Sequence, residues 1–407
     1  MTDEWTTLGS ATTWQSGGTP SRLNPDYWGG SVPWISAFTL KGARLSTSDQ
    51  SLTTAGVAAG SKVAPEGAVL VLVRGMALHS ELRAGVAARP LAFNQDVKAM
   101  LPISGVEPEF LLFSLQARES QILKLVTSAG SGTGVLTSDR LKAIPLWIPS
   151  IKTQRSICST IGDADLLIEL LERLIAKKRN VKQGVMQELL TGRTRLPGFT
   201  GEWVESELAS LIDGLIAGTS VRSVAGAPRP GVLKTSAVRA GRVDELEVKR
   251  ILPEDVSRAR CMPEANSILV SRMNTPAMVG EVGYVERDLP GVYLPDRLWL
   301  ARPRKDAGTN MPWLAALLSF GATAESVRGL ATGTSDSMKN IAKSRLLALK
   351  VKSPSSSEQN AIGSVLADID SEIAAVERRL DSARAVKAGM MQELLTGRAR
   401  LPVKEDA

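Results

Sequence analysis

His79 is the only histidine among the 407 residues of this chain. That rules out zinc sites built on two or three imidazoles and any pair of histidines acting as acid and base. A Ser-His-Asp or Cys-His arrangement would have to run through His79. It lies in RGMALHSELR with no nucleophile signature, and reads as a loop histidine. The run Gly130-Ser131-Gly132-Thr133-Gly134 precedes a strand and has no Lys-Ser/Thr after it, so a turn is expected in place of a phosphate cradle. Asp244–Lys249 (DELEVK) contains a Glu-x-Lys without an upstream Pro-Asp on a matching strand, and reads as a charged strand or turn. Cys158 and Cys261 are too few for a disulfide framework.

Asn24-Pro25-Asp26-Tyr27 is close to the Asn-Pro-Pro-Tyr of adenine amino-methyltransferases, yet it lacks the second proline and no glycine-rich cofactor loop accompanies it. No catalytic constellation remains, and binding is the expected role. Lys plus Arg exceed Asp plus Glu by 49 to 42, a net +7 that leans towards an anionic partner. The candidate phosphate or base-edge contacts are Thr19, Ser21, Arg22, Lys41, Arg74 and Lys98 in the first half of the chain. Arg222, Arg229, Lys234, Arg272 and Arg297 are the candidates in the second half, with Asn274 suited to bidentate pairing with adenine.

The elements that position these residues are written twice. Met186–Pro197 (MQELLTGRTRLP) and Met391–Pro402 (MQELLTGRARLP) agree at eleven of twelve positions, at an offset of 205 residues. Ahead of the first copy, Ile157, Ile161, Ala164, Ile168, Leu171 and Ile175 follow a 4-3-4-3-4 spacing. Ile362, Leu366, Ile369, Ile373, Val376 and Leu380 repeat that frame, and a lysine falls at the same seam position in each copy, Lys182 and Lys387. This period of 3.5 predicts two helices of roughly 38 residues, starting near 153 and 358, packed on each other as a left-handed coil. Gly184 and Gly389 interrupt both helices at equivalent places, which suggests a close approach, a bend or a partner's backbone. The near-identity of the tails suggests two equivalent docking surfaces for two copies of one partner, carried by Gln187, Glu188, Leu189, Leu190, Arg193 and by Gln392, Glu393, Leu394, Leu395, Arg398.

The echo continues more faintly ahead of the helices. Gly18-Thr19 answers Gly218-Thr219, Ile35-Ser36-Ala37 answers Thr235-Ser236-Ala237, and APEGAVLVLVR ending at Arg74 answers MPEANSILVSR ending at Arg272. Gly132-Thr133 likewise answers Gly333-Thr334. Each copy predicts short strands (68–73; 267–271), a helix (108–126; 312–328) and a closing strand (143–148; 346–352). The expected fold is α+β, with modules at 1–150 and 199–354 and helical regions at 151–198 and 355–407. No run of 18 apolar residues and no signal pattern appear, so a cytoplasmic protein without a membrane partner is expected.

Together these features resemble the specificity (S) subunit of type I restriction-modification enzymes over essentially the full length. The resemblance rests on Trp5-x-x-Leu8-Gly9, Gly17-Gly18-Thr19-Pro20-Ser21, Pro33-Trp34-Ile35-Ser36, Phe93-Asn94-Gln95-Asp96-Val97, the turn at 132–134 and the two QELLTGRxRLP tails. The second module lacks the Gly-Gly-Thr-Pro and Pro-Trp-Ile-Ser elements. The resemblance implies a non-catalytic reader of a bipartite, asymmetric duplex, with tandem target-recognition domains and an antiparallel helical ruler. It implies no cofactor in this chain: S-adenosylmethionine, ATP and Mg would sit on partners, two modification subunits and ATP-driven restriction subunits. A methylation-only complex, or a scaffold pairing two identical proteins, are the alternatives. As a ruler, the coil predicts that four residues inserted at 164–175 shift the helix by about 6 Å and change the spacer by one or two base pairs.

Overall fold

A computed structural model describes residues 4–130, 132–226, 229–333 and 337–401; Ser131, Thr334 and Pro402, named above, lie outside them. The chain divides into two compact units, Met1–Glu172 with Arg378–Ala407, and Arg173–Glu377. Each unit holds one α+β module, the near half of one long helix and the far half of the other.

In the first module, strands are ordered Thr12–Ser16, Val97–Pro102, Val69–Leu72, Ala84–Ala87, Arg44–Leu45 in a five-stranded sheet. A second sheet runs Ser51–Leu52, Trp28–Ile35, Leu91–Phe93, Lys62–Ala64, and a ribbon pairs Glu4–Thr7 with Pro145–Ile148. Val69–Leu72 is a fully buried apolar run at the middle of its sheet. The second module repeats the plan. Ser267–Ser271 lies between Leu298–Ala301 and Val282–Val285, and Val204–Glu207 pairs with Lys350–Ser353. The single helix expected in each module is broken in two, Pro108–Gln116 with Glu119–Leu123 and Met311–Ser319 with Gly321–Gly329. Gly321 takes φ +54°, a left-handed step that stops the helix there.

The long helices span Ile151–Leu189 and Ser356–Leu394. Their expected seam is internal: Ala164, Ile168 and Ile369 are half-buried and the other nine named positions are buried. The pairing is antiparallel in each unit, because partner numbers fall on one helix as they rise on the other. In the first unit Lys387 meets Asp165 (2.5 Å) and Arg384 meets Glu172 (2.6 Å). In the second unit Lys182 meets Asp370 (2.7 Å) and Arg179 meets Glu377 (2.7 Å). The second pairs are the first displaced by the 205-residue offset, so the repeat extends to its ion pairs. A buried glutamine fixes each helix start. Gln154 Oε1 accepts from Glu107 N (2.9 Å) and its Nε2 donates to Pro149 O (2.9 Å). Gln359 Oε1 accepts from Asn310 N (3.1 Å) and its Nε2 donates to Pro354 O (3.0 Å).

The tails correct part of the docking expectation. Leu189 and Leu190 are buried in the core of the second module with Trp313, Ile362 and Leu366. Leu394 and Leu395 are buried against Phe110, Phe113, Trp147, Ile157 and Ile161 of the first unit. These four leucines face their own chain and present nothing to a partner, because burying a leucine on the adjoining module removes about 1.5–3 kcal/mol worth of apolar surface from water. Gln187 is half-buried, and Glu188, Arg193, Gln392, Glu393 and Arg398 are exposed. The tail glycines end the helices: Gly192 (φ +69°) and Gly397 (φ +71°) lie on the rings of Trp203 and Trp147. Gly184 and Gly389 face open space: beyond their own helical turn no described residue comes within 4 Å of an added Cβ, so no close approach among the described residues accounts for them. Among the described residues no helix is long and apolar enough to cross a membrane.

Candidate nucleic-acid interface

The motifs with a chemical outline have structural partners. His79 Nε2 lies 2.9 Å from Gly132 O and links two turns. Asn24 Oδ1 accepts from Asp26 N and caps the short helix Pro25–Tyr27. Asp244–Glu247 is a turn, with Glu245 paired to Arg287 and Glu247 to Lys234. Burial pushes the Cys158 thiol up to about 12, far from a reactive thiolate. Among the described residues no group of three or more His, Cys, Asp or Glu is placed to hold a metal.

In the first module the candidate contacts gather on one edge, at the C-terminal ends of the parallel strands Trp28–Ile35 and Leu91–Phe93. Backbone bonds tie its loops together. Gly18 N donates to Phe93 O (2.9 Å), Asn94 N to Ile35 O (2.9 Å), and Val73 N and Arg74 N to Asp96 O (2.8 and 3.2 Å). Thr19 Oγ1 donates to Gln95 Oε1 (2.7 Å), and Lys98 Nζ to Ser16 Oγ (2.5 Å). Arg22 is shelved on two indoles, its guanidinium 4.9 Å from the Trp28 ring and 5.5 Å from the Trp34 ring, with Nη2 donating to Gln50. Trp28 Nε1 donates to Ser21 O (3.1 Å) and Trp34 Nε1 to Gly18 O (3.2 Å), which stiffens the loop carrying Thr19, Ser21 and Arg22. Thr19, Ser21, Arg22, Lys41 and Arg74 are exposed there, and Lys98 is half-exposed. Gln50 and Gln95 were not singled out as contacts from sequence. The Phe-Asn-Gln-Asp-Val motif was the one available signal for Gln95.

The second module departs from this, and sheet register shows how. Leu136 N donates to Val73 O, and in the second module Ile341 N donates to Arg272 O, so Arg272 is the counterpart of Val73, not of Arg74. The textual match of the two strands is off by one residue, which turns a side chain to the opposite face of a strand. Gly67 (φ +81°) and Asn266 (φ +56°) mark the same left-handed turn before each strand, and the sequence match hides them because asparagine replaces glycine. Arg272 therefore turns onto the Trp299 ring (5.3 Å) with its Nε buried and unpartnered. The opening loops are offset too. Gly17 and Gly218 occupy equivalent places, where a Cβ would strike the carbonyl oxygens of Phe93 and Leu294.

Other second-module candidates are engaged locally. Asp255, itself buried, takes the Arg222 guanidinium and the Arg222 backbone N–H, which hold its carboxyl down at about 2. Lys234 pairs with Glu247 (3.2 Å). Asn274 Nδ2 donates to Ser271 Oγ and its Oδ1 accepts from Thr275 N, so both ends of its amide are occupied within the chain. Arg229 and Arg297 are exposed.

Residues 3–177 match the family model of the type I restriction modification DNA specificity domain. The chain is 27% identical over 188 residues to the specificity subunit of the type I restriction enzyme EcoR124I/EcoR124II of Escherichia coli, covering 46% of this chain and 44% of that one. It is 30% identical over 158 residues to the MjaIX specificity subunit of Methanocaldococcus jannaschii, covering 38% and 35%. The matches thus span less than half the length of these curated relatives. Over 97% of the chain the fold is similar to the S subunit of a type I restriction-modification system from M. genitalium (TM-score 0.56, 14% identity, 96% of that chain). A chain from a structure concerned with assembly and conformational transition of the type I R-M system gives TM-score 0.60 at 15% identity, covering 97% of each chain. Residues 3–177 thus carry a type I restriction modification DNA specificity domain, and along its length the chain has a fold similar to that of S subunits of type I restriction-modification systems.

Proposed function

We propose that this chain is the non-catalytic reader of a bipartite, asymmetric duplex target, and that it positions adenine-methyltransferase subunits on that target. The observation that carries the reading is the cation-bearing edge of the first module, formed within the matched specificity domain by loops the second module does not share. Like frames with unlike loops suit two readers of two different half-sites. The partners would be two modification subunits, with ATP-dependent restriction subunits joining them. S-adenosylmethionine, ATP and Mg would be bound by those partners. The exposed tail positions Glu188, Arg193, Gln392, Glu393 and Arg398, with the open faces at Gly184 and Gly389, are the equivalent surfaces on which two like subunits would dock.

Genomic adenine-methylation mapping in cells with and without the intact chain tests the reading. A bipartite motif should vanish with the chain, and a methylation pattern indifferent to it would refute the proposal. Mass determination of the purified complex should give two modification subunits per chain; a single one would remove the case for two docking surfaces.

A further inference from the structure

Two large apolar side chains stand in solvent on the edge of the first module. Phe38 is 70% exposed and Met76 is 66% exposed. Single apolar residues on a surface need no explanation, but these are held in place. The turn carrying Phe38 is closed by Ser36 N donating to Thr39 Oγ1 (2.8 Å), Thr39 N to Ser36 Oγ (3.3 Å) and Leu40 N to Ser36 O (2.9 Å). Leu40 anchors it in the core at 1% exposure. The turn carrying Met76 runs alongside, since a Cβ on Gly75 would sit 3.8 Å from that of Ala37. A cation accompanies each: the Lys41 ammonium lies 4.6 Å from the Phe38 ring, and Arg74 is exposed two residues before Met76.

At the two equivalent positions the second module carries small polar residues instead. The parallel pairing of Gly231–Leu233 with Val292–Tyr293 matches that of Trp28–Ile35 with Leu91–Phe93, and it places Ser236 where the first module has Phe38. The register of the small sheet likewise places Thr275 where the first module has Met76.

We propose that Phe38, backed by Met76, is a wedge that enters the base stack of the half-site read by the first module. The second module reads its half-site without that distortion. The inference rests on the DNA-reading role proposed above. An apolar side chain on a rigid turn, with the phosphate-seeking Lys41 on its ring and Arg74 exposed on the neighbouring turn, is the equipment for unstacking one base step, and flexible pyrimidine–purine steps admit it most readily.

The test uses the full chain assembled with its methyltransferase subunits on a duplex carrying the mapped site, with 2-aminopurine placed in turn along each half-site. Apart from the target adenines, which the methyltransferase subunits would flip out of the stack in either half-site, wild type should raise fluorescence at one step of the first half-site and at none of the second. Phe38→Ala should abolish that signal and weaken binding about tenfold, with the dependence of log affinity on log salt unchanged. Phe38→Leu should retain part of both effects. Equal affinity and equal fluorescence for wild type and Phe38→Ala would overturn the wedge while leaving the reader intact. Failure of the wild-type complex to prefer the mapped duplex would overturn the reader, and the wedge with it.

Discussion

Arginines separate the two modules most clearly at the scale of single residues. Arg74 is free to meet a phosphate, whereas Arg272 packs on Trp299 and Arg222 is held by Asp255. Arg74→Ala should therefore flatten the salt dependence of DNA binding by a slope of about one. Arg272→Ala should leave that slope alone and lower the melting temperature. Parallel salt titrations of the two variants check both outcomes. Asp255 adds a pH prediction. Its carboxyl is held at about 2, below the ordinary 3.8, by hydrogen bonds from Arg222. A depressed carboxylate stabilises fully above its unfolded value and loses that contribution as pH falls through the folded one. The melting-temperature gap between wild type and Asp255→Asn should hold at neutral pH and close between about pH 4 and pH 2. A gap unchanged across that window would show the pair to be unimportant for stability.

Helices and tails explain more of the repeat than their sequence suggested. The tails are nearly identical partly because each leucine pair is buried within its own unit and each glycine ends a helix beneath a tryptophan. Arg118, itself buried, adds to the first of these contacts by donating to Leu395 O (3.4 Å). Leu395→Ala should cost about 2–5 kcal/mol in denaturant unfolding. Gly397→Ala should destabilise as well, through both the left-handed backbone and the Trp147 ring 3.0 Å from the new Cβ. Exposed counterparts such as Gln392→Ala should have little effect on stability. The matched ion pairs offer a reciprocal test: Lys387→Asp should destabilise and Asp165→Lys should restore it, each by a few tenths of a kcal/mol to about 1 kcal/mol, as for partly exposed pairs. A double-mutant cycle with no coupling would show the pairs to be incidental.

For the whole molecule, the ruler expected from sequence has a second test that leaves the seam in step. Four residues added to one helix alone act as a stutter that locally unwinds the coil. One heptad added to both, within 164–175 and at the equivalent place in the second helix, preserves the register and lengthens each helix by about 10 Å, near three base-pair rises of 3.4 Å. Methylation mapping should then show unchanged half-sites and a spacer longer by about three base pairs. An unchanged spacer would rule out the ruler.

The sequence by itself determined the duplication, the extent of the helices and their seam, because a 3.5-residue period and a 205-residue echo are local, additive signals. The clustering of Thr19, Arg22, Lys41 and Arg74 was partly legible, since motif and charge lie close in sequence. The inward turn of Arg272, the occupied amide of Asn274 and the burial of the tail leucines were decided only by the tertiary structure. A strand's faces alternate at every residue, so an asparagine standing in for a turn glycine shifted the true match by one position and reversed what the side chain meets. A helix's apolar stripe shows that it must be covered, but the partner that covers it is chosen in three dimensions.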